Sequence, residues 1–108
     1  MMWRVNYTDD ALDDLQGIFD YISLTLQEPG IAAKQANRIM DAADSLDHMP
    51  LRCRLYGKEP WCSKGLRVLT VDNYLIFFLP DESNHTVTII RIMYGGRDID
   101  KQLSEMDV

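Results

Sequence analysis

The sequence predicts an α+β fold: an N-terminal strand, an αα-hairpin, then a three-stranded antiparallel meander, with both helices on one face of the sheet. Two observations carry this expectation. Between residues 11 and 49, apolar side chains recur at intervals of three and four, in two runs separated by Pro29-Gly30. Between residues 65 and 94, the chain changes to runs rich in Val, Ile, Leu, Phe and Tyr, broken by turn residues. The 108 residues suit one domain spanning 1–108. A chain of that size buries roughly 65% of its unfolded surface, enough for one core.

Met2-Trp3-Arg4-Val5-Asn6-Tyr7 alternates apolar and polar residues and reads as the first strand. Thr8 is placed to cap a helix whose first turn holds Asp9 and Asp10, where acids suit the helix dipole. Leu12, Leu15, Ile18, Phe19, Ile22 and Leu26 then form a helical stripe ending near Gln27. After the Pro29-Gly30 break, Ile31, Ala32, Ala36, Ile39, Met40, Ala43, Leu46 and Met49 form the buried stripe of a second helix. Pro50 stops that helix. A break this short makes the pair antiparallel.

Residues 50–65 read as a loop punctuated by Pro50, Gly57, Pro60 and Gly65. Asp72-Asn73 suits a two-residue hairpin turn, since both tolerate positive φ. Pro80 to Asn84 suits a longer turn, and Gly95-Gly96 ends the last strand. Residues 74–79 are apolar on both faces of the middle strand. The helices can cover only one face, so the other is expected to meet a partner.

Composition narrows the function. No apolar run approaches the ~20 residues of a membrane span, and the N-terminus lacks a signal-peptide core. A cytoplasmic protein with no membrane contact is the expectation. Two cysteines and two histidines, far apart, do not make a four-ligand zinc site. No phosphate-binding loop, dinucleotide fingerprint or zinc-protease motif occurs, so no metal or small-molecule cofactor is expected. The net charge of −6 is unevenly spread. Residues 1–48 carry nine acids against three bases, while residues 50–71 carry five bases against one acid. That distribution allows one local anionic contact on an acidic protein.

Arg67, Arg91 and Arg97 lie in or just past the strands. A guanidinium there must reach solvent or meet an anion. One reading is an anion- or partner-binding cluster beside Tyr74, Ile76 and Phe78; the other is salt bridging to Asp13, Asp14, Asp20 or Asp98. Lys58 and Lys64 read as solvated loop charges. Tyr56 and Trp61 either stack on a nucleic-acid base or pin their loop to the core.

Several segments, in this order, carry a resemblance. They are Ala11-x-x-Asp14-Leu15-x-x-Ile18-Phe19-Asp20-Tyr21-Ile22, Ala33-x-x-x-Asn37-x-Ile39, Leu46-x-x-x-Pro50, Gly65-Leu66-Arg67, Tyr74-x-Ile76-Phe77-Phe78 and Ile90 through Asp98. With this pattern the chain resembles the RelE/ParE superfamily of type II toxin–antitoxin toxins, also called plasmid-stabilisation proteins. The resemblance implies a helical hairpin on an antiparallel sheet and a cognate antitoxin that wraps the toxin. It implies one of two targets. RelE-like members cut mRNA on the ribosome, and under that alternative Arg67, Arg97, Lys58 and Lys64 would be catalytic. ParE-like members inhibit DNA gyrase. The acidic hairpin, the few lysines and a tail without Tyr or His make this chain more ParE-like. A degenerate member that only binds antitoxin is the third alternative.

Overall fold

The computed structural model describes residues 2–95, 99 and 103. The elements run β1 (Arg4–Tyr7), α1 (Asp9–Asp20), a π-helical turn (Tyr21–Thr25) and α2 (Pro29–Asp44). Two short 3₁₀ turns lead to β2 (Arg54–Leu55), β3 (Arg67–Val71), β4 (Tyr74–Asp81) and β5 (Thr86–Tyr94). Among the described residues the sheet has five strands, in the order β1-β5-β4-β3-β2. It is mixed, because β1 lies parallel to β5, from Arg4 opposite Thr86 to Tyr7 opposite Ile89.

Thr8 caps α1 as its sequence position predicts. Its hydroxyl accepts from the Ala11 N–H at 3.0 Å and donates to the Ile90 carbonyl at 2.9 Å. One side chain thereby satisfies a helix end and fixes α1 against β5. The buried stripe of α1 is narrower than expected. Ala11 is fully buried, Leu15 and Ile18 are half-buried, and Leu12 faces solvent. After Asp20 the backbone widens into the π turn, which keeps Ile22 inside and leaves Leu26 outside. Pro29, expected to break the helices, is instead the first residue of α2, where its fixed φ is already helical. Ala32, Ile39 and Ala43 bury the inner face of α2 and Leu46 the turn after it, while Ile31 and Met49 are exposed.

Asp72-Asn73 makes the β3–β4 turn, with Asp72 at φ 54°, and Val71 opposite Tyr74. The following turn starts later than expected, since Pro80 continues β4 opposite Val87. A bulge lies where Phe77 faces Arg91 and Phe78 faces Ile89, leaving Ile90 as the extra residue of β5.

Two cores result. On the helix face, Ile76, Phe78, Val87, Ile89 and Ile92 pack against Ala11, Ile39, Ala43 and Leu46. On the opposite face, Leu66, Val68, Phe77, Ile90 and Met93 pack with Trp61 and Leu103. The expectation of a bare second face is therefore corrected. The segment read as a loop folds back over the sheet: it contributes β2, its Trp61 is only 8% exposed, and Tyr56 meets Phe77 edge-on at 5.4 Å. The Tyr56 N–H closes the segment on the Leu66 carbonyl at 2.8 Å. Gly65, at φ 85°, makes the reversal into β3 that a side chain would strain.

Candidate functional site

Among the described residues, two surface regions have the shape or charge to engage another molecule. The first is a groove of about 760 Å³ between the helical hairpin and one end of the sheet. Asp13, Gly17 and Ile18 of α1 form one wall, continued by Tyr21 and Ile22 of the π turn. Leu26 and Ile31 flank the mouth, and Tyr74, Ile92 and Tyr94 line the sheet side. Gly17 helps to leave the space open, since nothing lies within 4 Å of where its Cβ would stand.

The lining is apolar and aromatic at its most accessible points. Tyr21, Leu26, Ile31 and Tyr94 are each about half exposed, at 56%, 52%, 55% and 48%. Four such residues around one concavity are more than scattered surface hydrophobics, and an apolar concavity of this kind is where ligands and partners dock. Tyr74 and Tyr94 meet edge-on at 5.7 Å. Burial, then the neighbouring Tyr94, Tyr21 and Asp72, push the Tyr74 hydroxyl above its ordinary range, so it is a neutral donor at physiological pH.

Asp14 closes the inner end of the groove. Its carboxylate accepts from Arg91 Nε at 2.6 Å and from Arg91 Nη2 at 2.9 Å, and also from the Ile92 N–H at 3.0 Å. Both side chains are only 13–14% exposed. The side chain of Asp13, one residue earlier and exposed, has no hydrogen-bond or ion-pair partner among the described residues. No lysine, arginine or histidine lines the groove among those residues.

The second region is the basic segment leading into β3. The Arg67 guanidinium is turned onto the backbone, donating to the Cys53 carbonyl at 2.5 Å and the Leu51 carbonyl at 3.4 Å. Arg52 likewise donates to the carbonyls of His48 and Met49. Lys64 holds its ammonium 5.0 Å from the Trp61 ring centroid, a cation–π contact. Lys58 and Arg54 are exposed on the same segment. Among the described residues no group of three or more His, Cys, Asp or Glu is placed to hold a metal ion. No helix among them is long and apolar enough to cross a membrane.

The residues singled out from the sequence thus separate. Tyr74 lines the groove. Ile76 and Phe78 do not belong to any open face: both are 0% exposed beneath the helices. Period-two alternation puts Tyr74, Ile76 and Phe78 on the helix side and Leu75, Phe77 and Leu79 on the other, and both sides are covered. Arg91 pairs with Asp14, and Arg67 with main-chain carbonyls. Arg97 lies outside the described residues. Tyr56 and Trp61 pin their segment to the core. Sequence reasoning missed the groove residues Tyr21 and Tyr94, and placed Leu26 and Ile31 in the core. The available signal was crowding: Leu24, Leu26 and Ile31 flank the hairpin bend, more apolar residues than two narrow stripes can bury.

Comparison with known proteins agrees with this architecture. The chain is similar to a chain of the chromosomal ParDE TA system from P. aeruginosa. The two are 25% identical with a TM-score of 0.68, over 86% of this chain and 96% of that one. It shares its fold with a chain of the toxin-antitoxin complex RelBE2 from Mycobacterium tuberculosis, at 22% identity and TM-score 0.63, over 87% and 99% of the two chains. The same holds for the archaeal RelE-RelB complex from Pyrococcus horikoshii, at 13% identity and TM-score 0.60, over 90% and 99%. No curated protein gives a significant match. The family described as the ParE toxin of the type II toxin-antitoxin system parDE matches residues 5–99. With nearly the whole chain matched and the fold shared, the protein belongs to the ParE toxin family of type II toxin–antitoxin systems.

Proposed function

We propose that the protein is a cytoplasmic growth inhibitor acting on DNA gyrase, held inactive by a cognate antitoxin encoded beside it. The observation that carries this reading is the state of Arg67, whose guanidinium is committed to the carbonyls of Cys53 and Leu51. A ribonuclease would need such a cation aimed at a phosphate, where it stabilises charge developing in the transition state. The acidic balance of the chain supports the same choice, because affinity for ribosomal RNA grows with the number of phosphates neutralised. Membership of the ParE family, and the ParDE and RelBE assemblies among its structural neighbours, support an antitoxin partner.

Expression alone should arrest growth, and co-expression of the adjacent reading frame should restore it. Purified protein should inhibit gyrase supercoiling and leave ribosome-bound mRNA intact. Codon-specific cuts in that mRNA, lost on Arg67→Ala or Arg97→Ala, would establish the nuclease alternative with Lys58 and Lys64 as further participants. Unimpaired growth at high soluble yield would establish a member that only binds antitoxin.

A further inference from the structure

The segment between the hairpin and β3 gathers cations on one side of an acidic protein. Residues 50–71 hold five bases against one acid, and the carboxylate of that acid, Glu59, accepts from the Ser63 N–H at 3.1 Å. Arg52 and Arg67 turn their guanidinium groups onto main-chain carbonyls. Arg54, Lys58 and Lys64 are exposed. Arg54 has no hydrogen-bond or ion-pair partner among the described residues.

The strand register places this charge. Arg54 stands opposite Val68, so the two share a face, and Val68 packs in the core away from the helices. Lys64 lies over the ring of Trp61, which belongs to the same core. The hairpin on the other face carries most of the nine acids of residues 1–48. The sheet thus separates a basic side from an acidic one, and a potential of one sign steers the opposite charge. What the basic side lacks narrows the partner. Trp61 is only 8% exposed and Tyr56 packs edge-on against Phe77, so neither offers an open ring on which an unpaired base could stack. No exposed large hydrophobic lies between Tyr56 and Leu66 to anchor a protein partner, and Leu55, opposite Arg67, alternates to the other face. Cations without stacking rings or apolar anchors suit a regular row of phosphates.

We propose that Arg54, Lys58 and Lys64 form a sequence-independent contact to the phosphate backbone of duplex DNA. This rests on the reading of the chain as a gyrase inhibitor and extends it: a toxin seated on gyrase would also touch the duplex on which gyrase acts. Such a contact is small, and weak by itself. Neutralising about three phosphates gives a salt slope of about −2.7, so a fourfold rise in salt weakens binding about fortyfold.

The test is the fluorescence anisotropy of a labelled duplex of arbitrary sequence, titrated with intact toxin to about 100 μM at about 50 and about 200 mM salt. Binding at the lower salt should be indifferent to sequence and fall about fortyfold at the higher. Arg54→Glu should weaken it roughly tenfold, and Arg54→Gln should lower the salt slope by about 0.9. Both variants should melt with the wild type, since Arg54 is exposed and unpaired among the described residues. Should Arg54→Glu fail to fold, Arg54→Gln carries the test. Lys34→Glu, the same reversal on α2, should weaken binding less than Arg54→Glu. No binding at the lower salt, or binding that both Arg54 variants leave intact, overturns the DNA contact. Supercoiling inhibition by the same wild-type preparation then judges the gyrase reading separately. Tighter binding of single-stranded RNA or DNA than of the duplex overturns the proposal. So does a loss of antitoxin affinity in Arg54→Glu when the wild type binds no duplex, which would give the patch to an acidic peptide.

Discussion

Asp14 and Arg91 form a two-point pair, with Nε and Nη2 at 2.6 and 2.9 Å from the two carboxylate oxygens. The pair spans 77 residues of sequence and joins the middle of α1 to the bulged stretch of β5. It is mostly withdrawn from water, so its geometry matters more than that of a surface ion pair.

Removing one partner strands the other. Arg91→Ala should lower stability by about 1.5–3 kcal/mol, the range for hydrogen bonds to charged groups. Asp14→Ala should cost at least as much, because it also frees the Ile92 N–H. At roughly 4–8 °C per kcal/mol for a domain near this size, thermal melts will register either change. Antitoxin affinity should change less than melting temperature in Arg91→Ala. A large affinity loss at an unchanged melting temperature would make Arg91 a contact residue instead.

Trp61 should behave as a core residue although it sits in an irregular segment. Trp61→Ala should destabilise the fold by about 3–5 kcal/mol, as large-to-small changes at buried aromatics do. It should also uncover Phe77 and Met93, raising binding of a hydrophobic dye. A melting temperature within a degree or two of wild type would show that the segment does not seal that face.

Acid should weaken the link between α2 and the β3–β4 turn. Hydrogen bonds from Arg38 and then Gln35 hold the Asp72 carboxyl below its ordinary range. Bonds from Asn84 do the same for Asp81 at the next turn. A depressed folded-state pKa gives stability that is complete above the unfolded value of about 3.9 and is lost as pH falls through the folded one. Carboxyl titration followed by NMR should show a low midpoint for Asp72, returning toward the ordinary value in Arg38→Ala. Both groups are exposed, so the effect on global stability should be small.

The cysteines should differ in reactivity. Burial pushes the Cys53 thiol up despite the nearby Arg52 and Arg67, and the residue is 8% exposed. Cys62 is more accessible. A thiol reagent at neutral pH should label Cys62 first and Cys53 only on unfolding, which peptide mapping resolves. Equal labelling in the folded protein would contradict the placement of Cys53.

The helical hairpin and the meander were readable because their signals are local. Thr8 precedes acids and a periodic stripe; Asp72-Asn73 separates two β-rich runs. What failed was long-range. The cover of the second sheet face depends on Trp61 and Leu103 meeting Phe77, and no periodicity announces that contact. The parallel pairing of β1 with β5 was equally invisible, since a four-residue alternating strand looks the same in either direction. The groove escaped for a third reason. Its lining comes from both helices, the π turn and two strands, and the π turn alters the helical phase that the sequence pattern assumes.

The parallel pairing of β1 with β5 also sets an order of events during synthesis. Thr8 and its partner Ile90 are 82 residues apart in sequence. At roughly 5–20 residues per second, about 4–16 s pass between their emergence. Through that interval β1 has no neighbour, and the inner stripe of α1 has no sheet to rest on. Native toxin therefore appears only once nearly all of the chain exists. A partner already waiting would meet a nascent chain with its helices exposed before it meets a finished protein, so neutralisation can begin before toxicity is possible.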